Sequence, residues 1–516
     1  MTQPRRISAV SLTRRVALET NNEFGSQIAH QIRFDSSRTA HTRVVFMTEG
    51  VLLRQAVSDP KLSQYDVIVL DEVHERHVTT DLLLGLLKAR VLPNAPNARL
   101  VLMSATVNVN LFASYFDAPV MQIPGRLHPI TVEYCPPPNA ADVAARVGTH
   151  RRQPPLDPTP YLQLMQRIDQ KYSAAERGDA LVFLGGMDDI SRLCEAARGY
   201  AKLNGGWVVL PLHSSLAAEE QDRVFDRPPE GVRKLIVSTN IAETSVTIDG
   251  VRFVIDSGLE KEMRFDPSCG VRSLLVSFIS KASAEQRKGR AGRTGPGVCF
   301  RLYSERDYEE RFDAFGKPEV QRMNLDSTLL QILAQGQDPR DFPFIDPPTP
   351  EAMAAALSSL DELGAVAELE PEPEAAPAGG PAGEGGAGGS RLVCTPLGEA
   401  LSVLPVDLSA GKMLLLSTIF DEVAPALRSL VTIAAAISVQ SPLQRRRGGL
   451  AQPSAADRDT DDAASRMKLQ ESFDSPHGEP FTLLNVSTRP NASLLLLILT
   501  FPIRPRDSRL FLGAGF

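Results

Sequence analysis

Val67-Ile68-Val69-Leu70-Asp71-Glu72-Val73-His74-Glu75-Arg76 is the stretch from which the fold of this chain is read. The four apolar residues predict a buried parallel strand. Two carboxylates then stand at its carboxyl end, where open α/β sheets bind their ligands. An acidic pair there suits Mg²⁺ bound to nucleotide phosphates, with the second carboxylate free to orient a water. Taken alone, Asp-Glu-x-His also reads as a strand running into a charged helix start.

The surrounding text decides between these readings. Leu100-Val101-Leu102-Met103 ends in Ser104-Ala105-Thr106. Leu235-Ile236-Val237 ends in Ser238-Thr239-Asn240-Ile241-Ala242-Glu243-Thr244-Ser245-Val246-Thr247-Ile248. Gln286-Arg287-Lys288-Gly289-Arg290-Ala291-Gly292-Arg293-Thr294-Gly295 follows, and Thr2-Gln3-Pro4-Arg5-Arg6-Ile7-Ser8 stands near the start. In this order they resemble the motifs of the DEAH-box RNA helicases, and their wording is nearest to the branch associated with nonsense-mediated mRNA decay. The resemblance runs from about residue 1 to about residue 486, with one interruption.

Composition sets the class. At 516 residues the chain predicts roughly three or four domains. Hydrophobic residues at 43% and charged residues at 23% are ordinary for a globular protein. A net charge of −7 gives no global basic field, although a local groove suffices for RNA. The five cysteines (135, 194, 269, 299, 394) show no metal-ligand spacing and read as reduced thiols. No secretory signal is visible, and the run Leu494–Phe501 is too short to span a bilayer. The expectation is a soluble intracellular protein with no membrane association. The resemblance implies nucleus and cytoplasm, and a monomer.

The predicted fold class is α/β: two RecA-like parallel-sheet lobes followed by winged-helix and partial helical, ratchet-like domains. Residues 1–130 form the first lobe and 131–305 the second, whose strands include Ala180–Leu184, Trp207–Leu210 and Phe253–Ile255. Its α/β pattern begins near Tyr161, after the Pro-rich stretch at 136–138. Residues 306–405 resemble the winged-helix region, with a Glu/Pro/Ala/Gly insert at 367–391 expected to be a disordered loop. Residues 406–486 resemble part of the helical domain, and 487–516 match nothing recognised.

The resemblance also implies roles. Asp71 holds Mg²⁺ largely through water, and Glu72, beside the metal, is the general base for the attacking water. His74 couples the site to the second lobe, whereas His77 is expected to be plain surface. Gln286 positions the lytic water, and Arg290 and Arg293 reach the γ-phosphate, for which planar guanidinium is suited. Thr247 and Asp249 lie near the ribose, and Arg15 and Phe225 sandwich the adenine of ATP, though a lone aromatic is also a common core residue. RNA is contacted by Arg5, Arg6, Thr48, Thr239 and Asn240, mostly at phosphates and sugars. Ser104 and Thr106 link the ATP site to RNA. A protein activator or mRNA-decay factors are the implied partners.

One departure shapes the expectations. No Gly-Lys in the chain is followed by Ser or Thr: Gly316-Lys317 precedes Pro318, and Gly411-Lys412 precedes Met413. The phosphate-binding loop GxxxxGK[ST] is therefore not among these residues. Weak ATP binding, slow or no hydrolysis and a marginally folded first lobe are expected of this polypeptide, as of a fragment lacking both ends. The main reading is an ATP-dependent RNA helicase that translocates along or unwinds RNA or remodels RNA–protein complexes, with mRNA surveillance as the pathway that the resemblance implies. Its rivals are a non-catalytic RNA-binding scaffold and, less favoured by the motif wording, a DNA helicase.

Overall fold

The computed structural model describes residues 1–369, 391–419 and 426–438, apart from 23–24, 96, 106–108, 124, 126–127, 150–152, 174–175, 177, 217 and 245–247. These divide into two compact units. The first holds residues 1–328 and 339–357; the second holds 329–338 and the residues from 358 on.

The first unit contains two six-stranded sheets. One is built from β1 (Thr2–Gln3), β2 (Ile28–Ile32), β3 (Asp35–Ser36), β4 (Val44–Thr48), β5 (Val67–Leu70) and β6 (Arg99–Leu102), in the order β3-β2-β4-β1-β5-β6. All pairings are parallel except β2 with β3. The two-residue β1 is inserted between β4 and β5, with Thr2 opposite both Met47 and Leu70. A chain segment that short carries no periodicity of its own; its neighbours hold it extended.

The second sheet contains β7 (Ile130–Tyr134), β8 (Asp179–Phe183), β9 (Trp207–Leu212), β10 (Arg233–Ser238), β11 (Val251–Asp256) and β14 (Gly297–Arg301), in the order β7-β14-β11-β8-β10-β9. Every pairing given for it is parallel. β7 precedes the Pro-rich stretch yet joins this sheet, so the second lobe starts before Tyr161. In β8, Ala180 and Val182 enter one core while Leu181 and Phe183 enter the other. That is why the strand reads as a continuous apolar run. Between β11 and β14 an antiparallel hairpin, β12 (Leu259–Asp266) with β13 (Val271–Phe278), forms its own two-stranded sheet.

In the second unit, β15 (Val366–Leu369) and β16 (Arg391–Cys394) pair antiparallel. The loop expected at 367–391 is therefore too wide at both ends: residues 367–369 and 391 belong to strands. Their alternation is short, and the low-complexity text beside them hides it. Residues 370–390 lie outside the described residues, as do the tail 487–516 and the stretch 439–486. Helices Pro396–Val403, Leu408–Ser417 and Leu427–Ser438 follow. Thr395 and Asp407 cap the first two, accepting from the amides of Gly398 and Ser409.

Candidate nucleotide and nucleic-acid site

The site starts at the carboxyl end of β5. Asp71 Oδ1 accepts from the Glu72 amide at 2.9 Å, and Asp71 Oδ2 accepts from Gln3 Nε2 at 2.7 Å. Glu72 and Arg76 both take the left-handed conformation, with φ of 56° and 52°. Non-glycine residues adopt it only where surroundings enforce it. Here the Val73 amide donates to the Met103 carbonyl at 3.2 Å. Arg76 is held by a two-pronged pair with Asp81 at 2.9 Å and by Asp346 at 2.6 Å. The tight turn aims Glu72 and His74 at the second lobe.

The second lobe answers with the helix Lys281–Gly289 and the turn after it. Ser280 caps the helix by accepting from the Ser283 amide. Gln286 Nε2 lies 2.8 Å from His74 Nε2, joining the lobes. The Ala105 amide donates to His74 Nδ1 at 3.3 Å, so the ring proton belongs on Nε2. The Gln286 carboxamide, turned oxygen-first, accepts that proton. Gly292 has a packing reason: a Cβ there would stand 2.9 Å from the His128 carbonyl and 2.7 Å from Ile130 Cδ1. Gly289 faces open space.

Burial shapes the charges in this cleft. Burial, then Asp71 and Glu75, push the Glu72 carboxyl up to about 7, against the pull of Arg290 and Arg293. Burial raises Asp71 as well. Burial, then Arg293, push Arg290 down to about 9, and burial lowers Arg293. Arg290 donates to the Glu243 and Thr244 carbonyls. The carboxylates of Asp71 and Glu72 thus face the guanidinium groups of Arg290 and Arg293, and burial displaces all four from their ordinary ionisation. Carboxylates suit a divalent cation and planar guanidinium groups suit phosphate oxygens, so these residues fit a nucleotide phosphate with its metal.

Residues 161–295 match the helicase conserved C-terminal domain family. Over 487 residues, 94% of this chain, the sequence is 50% identical to the human protein named probable ATP-dependent RNA helicase DHX34. The chain belongs to the DEAH-box RNA helicase family. The mouse counterpart is 49% identical, and the match covers 38% of each of these relatives. Human ATP-dependent RNA helicase DHX33 is 36% identical, with 62% of its length covered. The structure of the E. coli DExH-box NTPase HrpB is similar with a TM-score of 0.67 and 28% identity, over 97% of this chain and 52% of that one. The chain thus spans well under half the length of the DHX34 proteins it matches.

The remaining predicted residues fall in two groups. Arg5, Asn240, His74 and Gln286 line one cavity of about 360 Å³. Thr239 and Asn240 line a second, of about 370 Å³, beside Lys261 of the hairpin. Thr48 ends β4, and Ser104 follows β6. Arg6 is exposed. Around the base position, Arg15 is exposed and pairs with Glu19 at 2.5 Å, while the charge of Asp249 acts on both Arg15 and Arg293. Phe225 is 41% exposed, not a core aromatic. Thr106 and Thr247 lie outside the described residues.

His77 is not plain surface. Its ring is half-buried, with Nε2 3.3 Å from Glu75 and Nδ1 3.9 Å from Glu49. Nothing local in the sequence announces this, because Glu49 arrives from the end of β4. Glu75 itself was missed: it accepts from the Thr244 hydroxyl of the other lobe at 2.5 Å and pairs with Arg5 at 3.4 Å. Burial pushes its carboxyl up, but Arg5, His77 and Thr244 outweigh that and hold it below the ordinary range. Arg287 was missed too. It is fully buried, bonded at 2.9 Å to both Glu243 and Asp256.

Proposed function

We propose that this chain supplies the hydrolytic carboxylate, the lobe-coupling residues and the RNA-contacting surface of an ATP-dependent RNA helicase, acting by translocation, unwinding or remodelling of RNA–protein complexes. One observation carries the reading: Glu72 on the first lobe faces Arg290 and Arg293 on the second, with Gln286 and His74 joined between them. Bound Mg·ATP would supply the electrophilic phosphorus. Glu72 would take the proton of an attacking water, and its raised affinity for protons suits a base working near neutrality. Asp71 would hold Mg²⁺ largely through water. Gln286 would fix the water's orientation, and His74 would report to the second lobe. Arg290 and Arg293 would neutralise charge developing on the phosphate. Arg15, Phe225, Thr247 and Asp249 would hold the nucleoside by stacking and ribose contacts, with little base selectivity.

RNA would cross the cavity walled by Arg5 and Asn240, with Arg6, Thr48 and Thr239 beside it and Ser104 and Thr106 linking it to the nucleotide. Burial first, then the like charges of Arg54 and Arg6, lower Arg33, so these arginines form a basic patch suited to phosphates. The names of the relatives, ATP-dependent RNA helicases, support the substrate class. A part in mRNA surveillance, an activating protein partner, a monomeric state and residence in nucleus and cytoplasm complete the proposal.

The test is steady-state ATPase with and without single-stranded RNA, on this polypeptide and on Glu72→Gln. Because no GxxxxGK[ST] lies in these 516 residues, weak nucleotide affinity is expected of the polypeptide by itself. RNA-stimulated turnover lost by about 10²-fold or more in Glu72→Gln supports the hydrolytic roles. RNA binding with no turnover favours the scaffold reading, and duplex DNA separated as well as duplex RNA would favour the DNA helicase.

A further inference from the structure

The turn Pro318–Arg322 follows the second lobe in sequence, yet it is bonded to both lobes. On one side, the Glu319 amide donates to the Arg76 carbonyl at 3.0 Å, and Glu319 Oε2 accepts from the Val78 amide at 3.0 Å. On the other, Arg322 Nη1 donates to the Met263 carbonyl of β12 at 3.1 Å. The Arg322 carbonyl accepts from the Phe265 amide at 2.8 Å. Inside the turn, Glu319 Oε1 lies 3.5 Å from Arg322 Nη2. Val320 between them is buried, and Pro318 restricts the entry to the turn. One carboxylate therefore bridges an amide just past the Asp71–Arg76 loop and a guanidinium gripping the hairpin. The hairpin's Lys261 and Leu274 in turn line the cavity shared by Arg5 and Asn240.

We propose that this turn is a strut: Glu319 and Arg322 are positioning residues that set the hairpin over the RNA path according to the position of the Asp71–Arg76 loop. The links are hydrogen bonds to each lobe and one ion pair within a short, internally bonded turn. Movement at one end is therefore passed to the other and not absorbed. The consequence for RNA rests on the reading of the cavity given above; the mechanical link does not.

Amide hydrogen exchange on the full chain, without nucleotide or RNA, tests it. Glu319→Ala removes the acceptor of the Val78 amide and the partner of Arg322. Exchange across Leu259–Asp266 is expected to rise about tenfold, while β8 and β10 stay unchanged. Glu319→Gln keeps an acceptor oxygen and is expected to restore much of the protection. A change confined to residues 76–81, or one spread through β8 and β10, overturns the strut. Arg322→Lys probes the opposite direction: it is expected to loosen the hairpin and also to speed exchange at Val78, and an unchanged Val78 overturns the proposal. Affinity for a labelled single-stranded RNA should fall roughly three- to tenfold in the loosened variants. Coupled exchange in a chain that binds no RNA would sink the RNA reading and leave the mechanical link standing; coupled exchange with undiminished RNA affinity would overturn the positioning role.

Discussion

Particular strands of the two large sheets differ in how completely they are covered. In the second lobe every residue of β8 and β10 is buried. In the first, β5 and β6 alternate between cover and solvent, with Val67 51% and Val101 44% exposed. The arginines of the candidate site stand on the closed lobe and the carboxylates on the open one. The closed lobe fixes its charges by burial and pairing; the open lobe holds its carboxylates through a strained turn and a few long-range bonds. The two sides of the candidate cleft therefore differ in how their charged residues are held.

The largest way to break that contrast lies at Arg287. Its guanidinium is fully buried between Glu243 and Asp256, and these carboxylates hold it charged against the cost of burial. Arg287→Ala leaves two buried carboxylates without their cation. The expected loss is about 3–5 kcal/mol, measured as a shift in the urea midpoint of the second lobe. A loss below about 1 kcal/mol would mean that the closed lobe is not fixed by this pairing.

A smaller effect belongs to the first lobe. Burial pushes the Glu49 carboxyl up to about 7, with His77 and Thr80 pulling the other way. Between pH 4.5 and 7 the folded chain keeps a proton that the unfolded chain has released. Stability therefore falls as pH rises through that window. Ionising Glu49 above it costs on the order of 3 kcal/mol. Glu49→Gln should raise the stability of the first lobe at pH 8 by about 1–3 kcal/mol, a gain that fades towards pH 4.5. Glu72 and Glu260 titrate in the same range, so only the difference between wild type and variant isolates Glu49. A gain independent of pH would refute the buried, proton-holding carboxyl.

What the sequence made legible follows from the range of the forces involved. The apolar runs at 67–70 and 235–237 both announce strands. The second is buried on both faces, but the first, expected to be buried, instead leaves Val67 51% exposed, because cover comes from distant parts of the chain. Asp71, Glu72, Gln286, Arg290 and Arg293 are legible as text, and the fold brings them to one cleft. Long-range pairing is not legible. β1 has two residues and becomes a strand only between β4 and β5. The β12–β13 hairpin is obscured because Glu260, Lys261 and Glu262 break its alternation. Arg287 and Arg290 look alike in sequence, yet carboxylates from β11 and from the loop after β10 neutralise the first, whereas the second bonds carbonyls. His77 depends on Glu49, a residue from another strand's end.

The smallest effect sharpens the contrast most directly, because one substitution can be made in both lobes. Valine to threonine keeps the β-branched shape and adds a hydroxyl. At Val182, fully buried in β8, that hydroxyl must leave water among apolar neighbours. The expected cost is about 1–3 kcal/mol. At Val101 on β6 the side chain is already 44% exposed and the hydroxyl keeps its solvent. Threonine is also a good strand former, so the cost there should stay within about 0.5 kcal/mol. Urea denaturation of the two variants, followed by a probe in each lobe, gives the comparison. Equal costs would mean that uneven cover does not set the local stability of these sheets. A large cost at Val101 alone would mean that the edge of β6 is covered in solution, by chain or by partner.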